Sequence, residues 1–210
     1  TMILIFGCSY THGEVPNQRI VEHTYPALIE RSLNIPVINF GVPGGSNAFS
    51  DFLISKALNI FDPKFVFFQT TYPTRNFYGN FSGSLAGLTD FDEYLEQPIR
   101  GRPNYLRVKY KELQKQFLHF RPTSAESDGV RWYYEKFLND RLDLEGTQGA
   151  FSALHRLRNI PHYAFEMYTS GLYGLEDKDI LFEPLDWADT SKHLSRSGAI
   201  KLSKDLLNFM

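Results

Sequence analysis

The sequence predicts an α/β protein, a parallel sheet with helices on both of its faces, three layers in all. Three observations carry that class. Short, mainly apolar runs recur at residues 2–6, 36–40 and 65–68, the first of them continuous; glycine or polar turn residues follow the first two; and stretches with helical spacing separate them. Runs of this length suit strands buried on both faces. Strands alternating with helices at this spacing imply right-handed crossovers that cover the sheet on either side.

The first run, Met2-Ile3-Leu4-Ile5-Phe6, ends at Gly7 and leads into a polar loop from Ser9 to Gln18. Tyr25, Leu28, Ile29 and Leu33 then fall at helical spacing within residues 23–33, and Pro36-Val37-Ile38-Asn39-Phe40 is the second strand. Pro43-Gly44-Gly45 is a turn signal. Ser46 or Asn47 can cap the helix that carries Phe49, Leu53, Ala57 and Ile60 on one side. Phe65-Val66-Phe67-Phe68 makes strand three. A helix ending near Leu157, a fourth strand over residues 161–167, a short extended piece at Ile180-Leu181-Phe182 and a final helix over residues 197–208 complete the series.

Residues 77–150 break this rhythm and are read as a mainly helical insertion. Leu106, Tyr110, Leu113, Phe117 and Phe120 lie at helical spacing, and Arg107, Lys111 and Lys115 share another face at intervals of four. Residues 100–121 hold seven basic side chains and one acid, Glu112, the one marked charge cluster of the chain. A solvated face is the plain reading of such a run, and an anion-binding face the alternative. With no repeat, low-complexity tract or linker, residues 1–210 are expected to form a single domain.

The composition excludes several classes. A hydrophobic fraction of 42% and a charged fraction of 22% are those of a soluble globular protein. A formal net charge of −2 supplies no global field for nucleic acid or acidic membranes, so neither is expected as a partner. Cys8 is the single cysteine, which excludes an internal disulfide and any site of several thiolates. The opening apolar run is too short for a signal-peptide core and meets a glycine turn, so a cytoplasmic location is expected. Thr1 ahead of Met2 is read as an added residue, and a removed leader stays open. No oligomeric state is legible.

Two segments can carry chemistry. Gly7-Cys8-Ser9-Tyr10-Thr11 sits where the first strand ends, at the carboxyl edge where α/β sheets form their sites. A serine there can aim its hydroxyl into a crevice, but it needs a base. Taken alone it could equally be a turn residue, and Thr11 stands where the nucleophile elbow of the α/β-hydrolase fold requires glycine. The base candidate is His193, in a polar loop before the last helix, with Asp189 close enough in sequence to orient the imidazole. The plain reading there is an ordinary loop histidine beside a helix cap at Ser195 or Ser197.

Together the pieces resemble the SGNH, or GDSL-like, hydrolases. That family has a Gly-Asp-Ser block after the first strand, a Gly block after the second, an Asn block after the third and an Asp-x-x-His block before the last helix. Here the first block corresponds to Gly7-Cys8-Ser9-Tyr10-Thr11, the second to Asn39-Phe40-Gly41-Val42-Pro43-Gly44, and the last to Asp189 with His193-Leu194-Ser195-x-x-Gly198. The resemblance spans nearly the whole chain apart from the insertion, and it implies a flavodoxin-like strand topology. It also implies a Ser9-His193-Asp189 triad working through an acyl-enzyme, with an oxyanion hole from the Ser9 and Gly44 N–H groups. No metal or organic cofactor is needed by this scheme, and the expected partner is a small-molecule or carbohydrate ester.

There are departures. Cys8 replaces the family's aspartate. Asp189 and His193 are separated by three residues instead of two, with Asp186 as the substitute orienter. The third block, Phe68 to Asn76, has no clear Gly-x-Asn: Thr71 falls nearest the expected place, Asn76 has the right chemistry, and Gln69 lies at the strand end. Cys8 as nucleophile, a metal set of His12, His23 and Asp51, and a phosphate loop between Gly7 and Gly13 are the other chemical readings. The last two lack recognisable spacing. The expected activity is ester hydrolysis. The alternatives are acyl transfer on the same fold, or a catalytically impaired binding module that uses the basic helix over residues 106–120.

Overall fold

Each apolar run that falls among the described residues is a strand, and the expected helices begin and end within a few residues of their expected positions. The polar loop expected from Ser9 to Gln18 opens instead with a one-turn helix over Ser9–His12, because glycines at the sheet edge let the chain turn as soon as the first strand ends. The computed structural model describes residues 2–13, 23–42, 44–72, 76–78, 81–84, 87–90, 108–109, 112, 142–166 and 194–210. In chain order the elements are β1 (Ile3–Gly7), α1 (Ser9–His12), α2 (Tyr25–Leu33), β2 (Val37–Gly41), α3 (Asn47–Ile60), β3 (Phe65–Thr70), β4 (Asn76–Tyr78), β5 (Phe81–Ser84), β6 (Gly87–Asp90), α4 (Leu142–Leu157), β7 (His162–Glu166) and α5 (Arg196–Leu207). By its internal contacts the chain forms two compact units. One comprises Thr1–Pro43, Pro63–Thr70 and Leu157–Met210, and the other Gly44–Asp62 and Thr71–Arg156.

The first unit is built on a four-stranded sheet in the order β2-β1-β3-β7, with every pairing parallel. The fold is therefore α/β, with the flavodoxin-like strand order. β1 lies inside the sheet. The chain leaves it for β2 on one side and returns to β3 on the other, so the order reverses between β1 and β3. In open parallel sheets that reversal point, at the carboxyl ends of the strands, is where ligands bind. On one face Ile3, Ile5, Val37, Phe65, Phe67 and Phe165 form a buried cluster with Tyr25 and Ile29 of α2 and with Ala199, Leu202 and Leu206 of α5. Each fully buried aliphatic side chain of that set contributes about 2 kcal/mol by transfer from water. The alternate residues Leu4, Phe6, Ile38, Phe40, Val66 and Phe68 are buried as well. Strands covered on both faces are apolar at nearly every position, which is why they read as mainly apolar runs, with Asn39 of β2 and Gln69 of β3 as polar exceptions.

Helix starts follow local chemistry. Thr24 and Ser195 occupy the cap positions of α2 and α5, and their hydroxyls accept from the N–H of Ala27 (3.4 Å) and Gly198 (3.2 Å). Pro26 stands in the first turn of α2, where its missing N–H costs nothing. Asn34 ends α2 in the left-handed region, at φ 52°.

In the second unit Ser46 caps α3, its Oγ accepting from the Phe49 N–H at 3.1 Å. Asp51 of α3 pairs with Arg156 of α4 at 2.6 Å and accepts from Ser152 at 2.9 Å. A Cβ on Gly149 would lie 2.5 Å from the Ala48 nitrogen, so only glycine permits α4 to come this close to the start of α3. β4, β5 and β6 form a small antiparallel sheet inside the stretch expected to be mainly helical. These strands are three or four residues long, below the window in which alternation is legible. The pair Gly79-Asn80 between β4 and β5 is the hairpin signal that could have found them. The extended piece expected at residues 180–182 and most of the basic helix expected over residues 106–120 lie outside the described residues. Within that helix Lys109 donates to the Ile60 carbonyl at 2.9 Å, which places a cation on the negative end of α3.

Asn47 does more than open α3. Its Oδ1 accepts from the Thr71 N–H at 2.8 Å, its Nδ2 donates to the Thr71 carbonyl at 3.0 Å, and Nδ2 also lies 3.3 Å from the Gly146 carbonyl. Asn47 and Thr71 are both buried. Asn47→Ala therefore strands buried backbone groups and is expected to cost about 3 kcal/mol, read as a lower urea midpoint at unchanged slope. Asn47→Asp keeps the acceptor but turns its second carboxyl oxygen on the Thr71 and Gly146 carbonyls, so at neutral pH it should lose at least as much.

Candidate active site

The candidate site grows from the carboxyl ends of β1 and its two neighbours. Gly7 of β1 and Gly41 of β2 are register partners, side by side at the edge of the sheet. The short helix α1 lies directly on this pair. A Cβ on Gly7 would run into Thr11 Oγ1 and come within 2.7 Å of Gln69 Oε1; one on Gly41 would meet the His12 nitrogen and the Thr11 carbonyl carbon. The two glycines are thus required by close approach, and they let a one-turn helix begin the moment β1 ends.

Cys8 occupies the cap position of α1 in extended conformation, with no side-chain cap bond. Its carbonyl accepts from the His12 N–H at 2.9 Å. Gly13 closes the turn in the left-handed region, at φ 81°, its N–H donating to the Ser9 carbonyl at 2.9 Å. Ser9 is the first residue of this helix. It is buried, with 5% of its surface exposed. First-turn N–H groups have no acceptor within their own helix, so the Ser9 N–H is of the kind that oxyanion holes use.

Side chains from β2, β3 and α2 hold the turn in place. Gln69, at the end of β3 and 1% exposed, turns its amide toward it. Gln69 Oε1 accepts from the Cys8 N–H (3.2 Å) and the Thr11 hydroxyl (2.8 Å); Nε2 donates to the Thr70 carbonyl (2.8 Å) and lies 3.3 Å from Cys8 Sγ. Thr11 Oγ1 is also 2.7 Å from the Tyr25 hydroxyl. Since Thr11 gives its one proton to Gln69, Tyr25 is the donor in that pair. Asn39 of β2 donates to the Thr11 carbonyl at 2.8 Å and accepts from the Gly41 N–H at 2.8 Å. Burial pushes the Tyr25 phenol far above its ordinary value, and the nearby Cys8 adds to this.

The other expected site residues are placed as follows. Gly44 follows β2 in the left-handed region, at φ 70°, and Thr71 follows β3 with both backbone polar groups held by Asn47. Asn76 begins β4. His193, Asp189 and Asp186 lie outside the described residues. Leu194, next to His193, is buried, and it belongs to the same cluster as Cys8 and Tyr10, the residues flanking Ser9. Ser195 caps α5, with its Oγ 2.8 Å from that of Ser197. Of the residues considered for a metal, Asp51 is committed to Arg156 and Ser152, and no cluster of three or more His, Cys, Asp or Glu among the described residues has the form of a metal site. Gln69 and Asn39 were missed as supports of the turn. Their only sequence signal is a polar amide at the carboxyl end of an otherwise apolar strand.

No family model matches the chain, and no curated protein matches it. Among solved structures it is similar to a protein assigned to the G-D-S-L lipolytic family from Desulfitobacterium hafniense DCB-2, at 14% identity over 100% of this chain and 99% of that one, with a TM-score of 0.45. It is also similar to the lipase/acylhydrolase from Enterococcus faecalis, at 14% identity over 99% and 94% of the two chains with a TM-score of 0.44. A member of the lipolytic protein G-D-S-L family from Veillonella parvula DSM 2008 is 17% identical over 99% and 96%, with a TM-score of 0.41. These are similarities of outline and assign no residue a role.

Two measurements test the turn. Gly41→Ala should cost about 3 kcal/mol in urea unfolding, because backbone atoms of α1 must move to admit one methyl group. For Tyr25 the sign follows from its raised pKa: the folded state keeps the phenolic proton after the unfolded chain has released it. Its stabilisation is therefore full below about pH 10 and is lost as pH rises further. Wild-type stability should fall above pH 10 more steeply than that of Tyr25→Phe, by about 1.4 kcal/mol per pH unit.

Proposed function

We propose that this chain is a serine hydrolase that cleaves an ester, acyl or acetyl, of a small molecule or carbohydrate. Ser9 Oγ attacks the ester carbonyl while His193 takes its proton, and Asp189 holds the second ring nitrogen and stabilises the imidazolium. The tetrahedral oxyanion takes the Ser9 N–H. The Gly44 N–H and a side chain from Thr71 or Asn76 are the further donors proposed. His193 returns the proton to the departing alkoxide oxygen. Water, deprotonated by the same imidazole, then attacks the acyl-Ser9 ester, so that Ser9 regains its proton as the acid leaves.

One observation carries this reading. Ser9 opens a helix directly off β1, at the point where the strand order reverses, and the neighbour of His193 is buried in the cluster that contains both neighbours of Ser9. The burial of Leu194 with Cys8 and Tyr10 supports pairing the strand-end serine with the histidine that precedes Leu194 in the chain. Hydrogen bonds from Gln69 and Asn39 tie the residues on either side of Ser9, an arrangement that favours the preorganisation oxyanion stabilisation demands. Substrate must reach the hydroxyl of a residue that is 5% exposed, so labelling of the folded protein is the direct test.

A fluorophosphonate probe should attach to folded protein at Ser9, and hydrolysis of a short-chain nitrophenyl ester should fall by about 10⁴-fold or more in Ser9→Ala and in His193→Ala. Absence of both labelling and turnover would sink the reading. Transfer of the acyl group to added alcohols at a rate exceeding hydrolysis would make the same site an acyltransferase.

A further inference from the structure

We propose that Gln69 is the positioning residue of the nucleophile turn, a role that rests on Ser9 acting as proposed above. Gln69 takes no part in binding the oxyanion. Its side-chain amide holds the residue before Ser9 and the residue two beyond it on a single oxygen, and so fixes where the Ser9 hydroxyl and N–H point.

The hydrogen-bond inventory carries this. A glutamine amide has two acceptor sites on oxygen and two donor hydrogens on nitrogen. Here all four are used. Oε1 takes the Cys8 N–H at 3.2 Å and the Thr11 hydroxyl at 2.8 Å; Nε2 gives one hydrogen to the Thr70 carbonyl at 2.8 Å and the other toward Cys8 Sγ at 3.3 Å. The thiol lies 3.5 Å from Oε1 as well. Turning the amide over would set its NH₂ against the Cys8 N–H and its oxygen against the Thr70 carbonyl, so one orientation alone satisfies the site. The bond to Thr70, the next residue in the chain, locks the side chain to its own backbone. An amide so occupied has no hydrogen left for a substrate.

Ordinary packing does not account for these choices. A buried strand end needs its polar atoms satisfied, and water or one neighbour would do. Instead the amide bridges 61 residues of sequence to the Cys8 N–H, the last group before the helix that Ser9 opens. Cys8 gives α1 no side-chain cap of its own. Gln69 supplies from across the sheet the anchoring that a capping side chain supplies locally. Tyr25 extends the set by donating to Thr11, so the order of donation runs from Tyr25 to Thr11 to Gln69. Cys8 and Tyr25 are the titratable groups among these partners.

The test separates positioning from fold and from the hydrolase reading. Thr11→Val keeps shape and removes the hydroxyl; Gln69→Met keeps length and removes the amide. Each should lower kcat for nitrophenyl acetate, and the rate of phosphonylation at Ser9, about tenfold or more with KM within twofold, because sub-ångström misplacement acts on the reacting geometry and not on binding. Thr11→Ser should restore the rate. Gln69→Glu adds a signature that packing alone cannot produce. Its protonated carboxyl can still donate to Thr70, whereas its carboxylate faces the carbonyl with a like partial charge. The ratio of variant to wild-type kcat should therefore fall as pH rises across about 5 to 8, the range to which burial lifts a carboxyl. Should Gln69→Met fail to fold, the Thr11 pair and Gln69→Glu decide. Labelling of wild type at Ser9, with folded variants of unchanged kcat and a flat pH ratio, overturns this proposal and leaves the hydrolase reading standing. Failure of wild type itself to label at Ser9 overturns both.

Discussion

The contact on which the rest of the site depends is the seating of α1 on two adjacent glycines. Gly7 and Gly41 pair in register at the edge of the sheet; the side chains of Thr11 and Gln69 lie where a Gly7 side chain would be, and the backbone of Thr11 and His12 where a Gly41 side chain would be. From that contact follow the immediate start of the helix, the placement of Ser9 in its first turn, and the reach of Gln69 and Asn39 to its two ends. A helix of four residues has almost no stability of its own, since nucleation consumes more order than one turn returns. It exists here because the sheet edge supplies its hydrogen-bond partners and Tyr25 and Ile29 lie in the cluster behind it.

Much of the fold was legible because it rests on local pattern. Residues 2–6 and 65–68 read as strands because every position is buried, Ser46 reads as a cap because its hydroxyl serves Phe49, and Gly7 and Gly13 read as punctuation because both sit at turns. What stayed hidden depends on distant partners. Nothing near Gln69 in the sequence says that its amide will meet Cys8, and nothing near Asn47 distinguishes a helix cap from a clamp on Thr71. Short strands such as β4 to β6 fall below the length at which alternation speaks. Ser9 was found for a physical reason, as a hydroxyl at the end of an inner strand; the residues that hold it were not, because amides at strand ends have many uses.

Cys8 shows how a departure in sequence can be absorbed by the structure. A thiol is a weak partner for backbone N–H groups. The turn that begins with it takes its order instead from Gln69, with the thiol resting against the same amide. A site with a poor local cap and a strong distant one is rigid only while β1 and β3 stay paired, which ties the candidate chemistry to the central sheet. The neighbouring cluster of Tyr10, Leu194 and Leu202 connects that sheet to the helix following His193.

The central claim is that this turn presents Ser9 as a nucleophile with its N–H ready for an oxyanion. The most direct measurement is a crystal structure of the protein after reaction with a small fluorophosphonate. The account predicts phosphorus bonded to Ser9 Oγ, a phosphonyl oxygen within about 3 Å of the Ser9 N–H, and an imidazole nitrogen of His193 within hydrogen-bond reach of Ser9 Oγ. An adduct on Cys8 or elsewhere, or one on Ser9 whose oxygen turns away from that N–H, would contradict it.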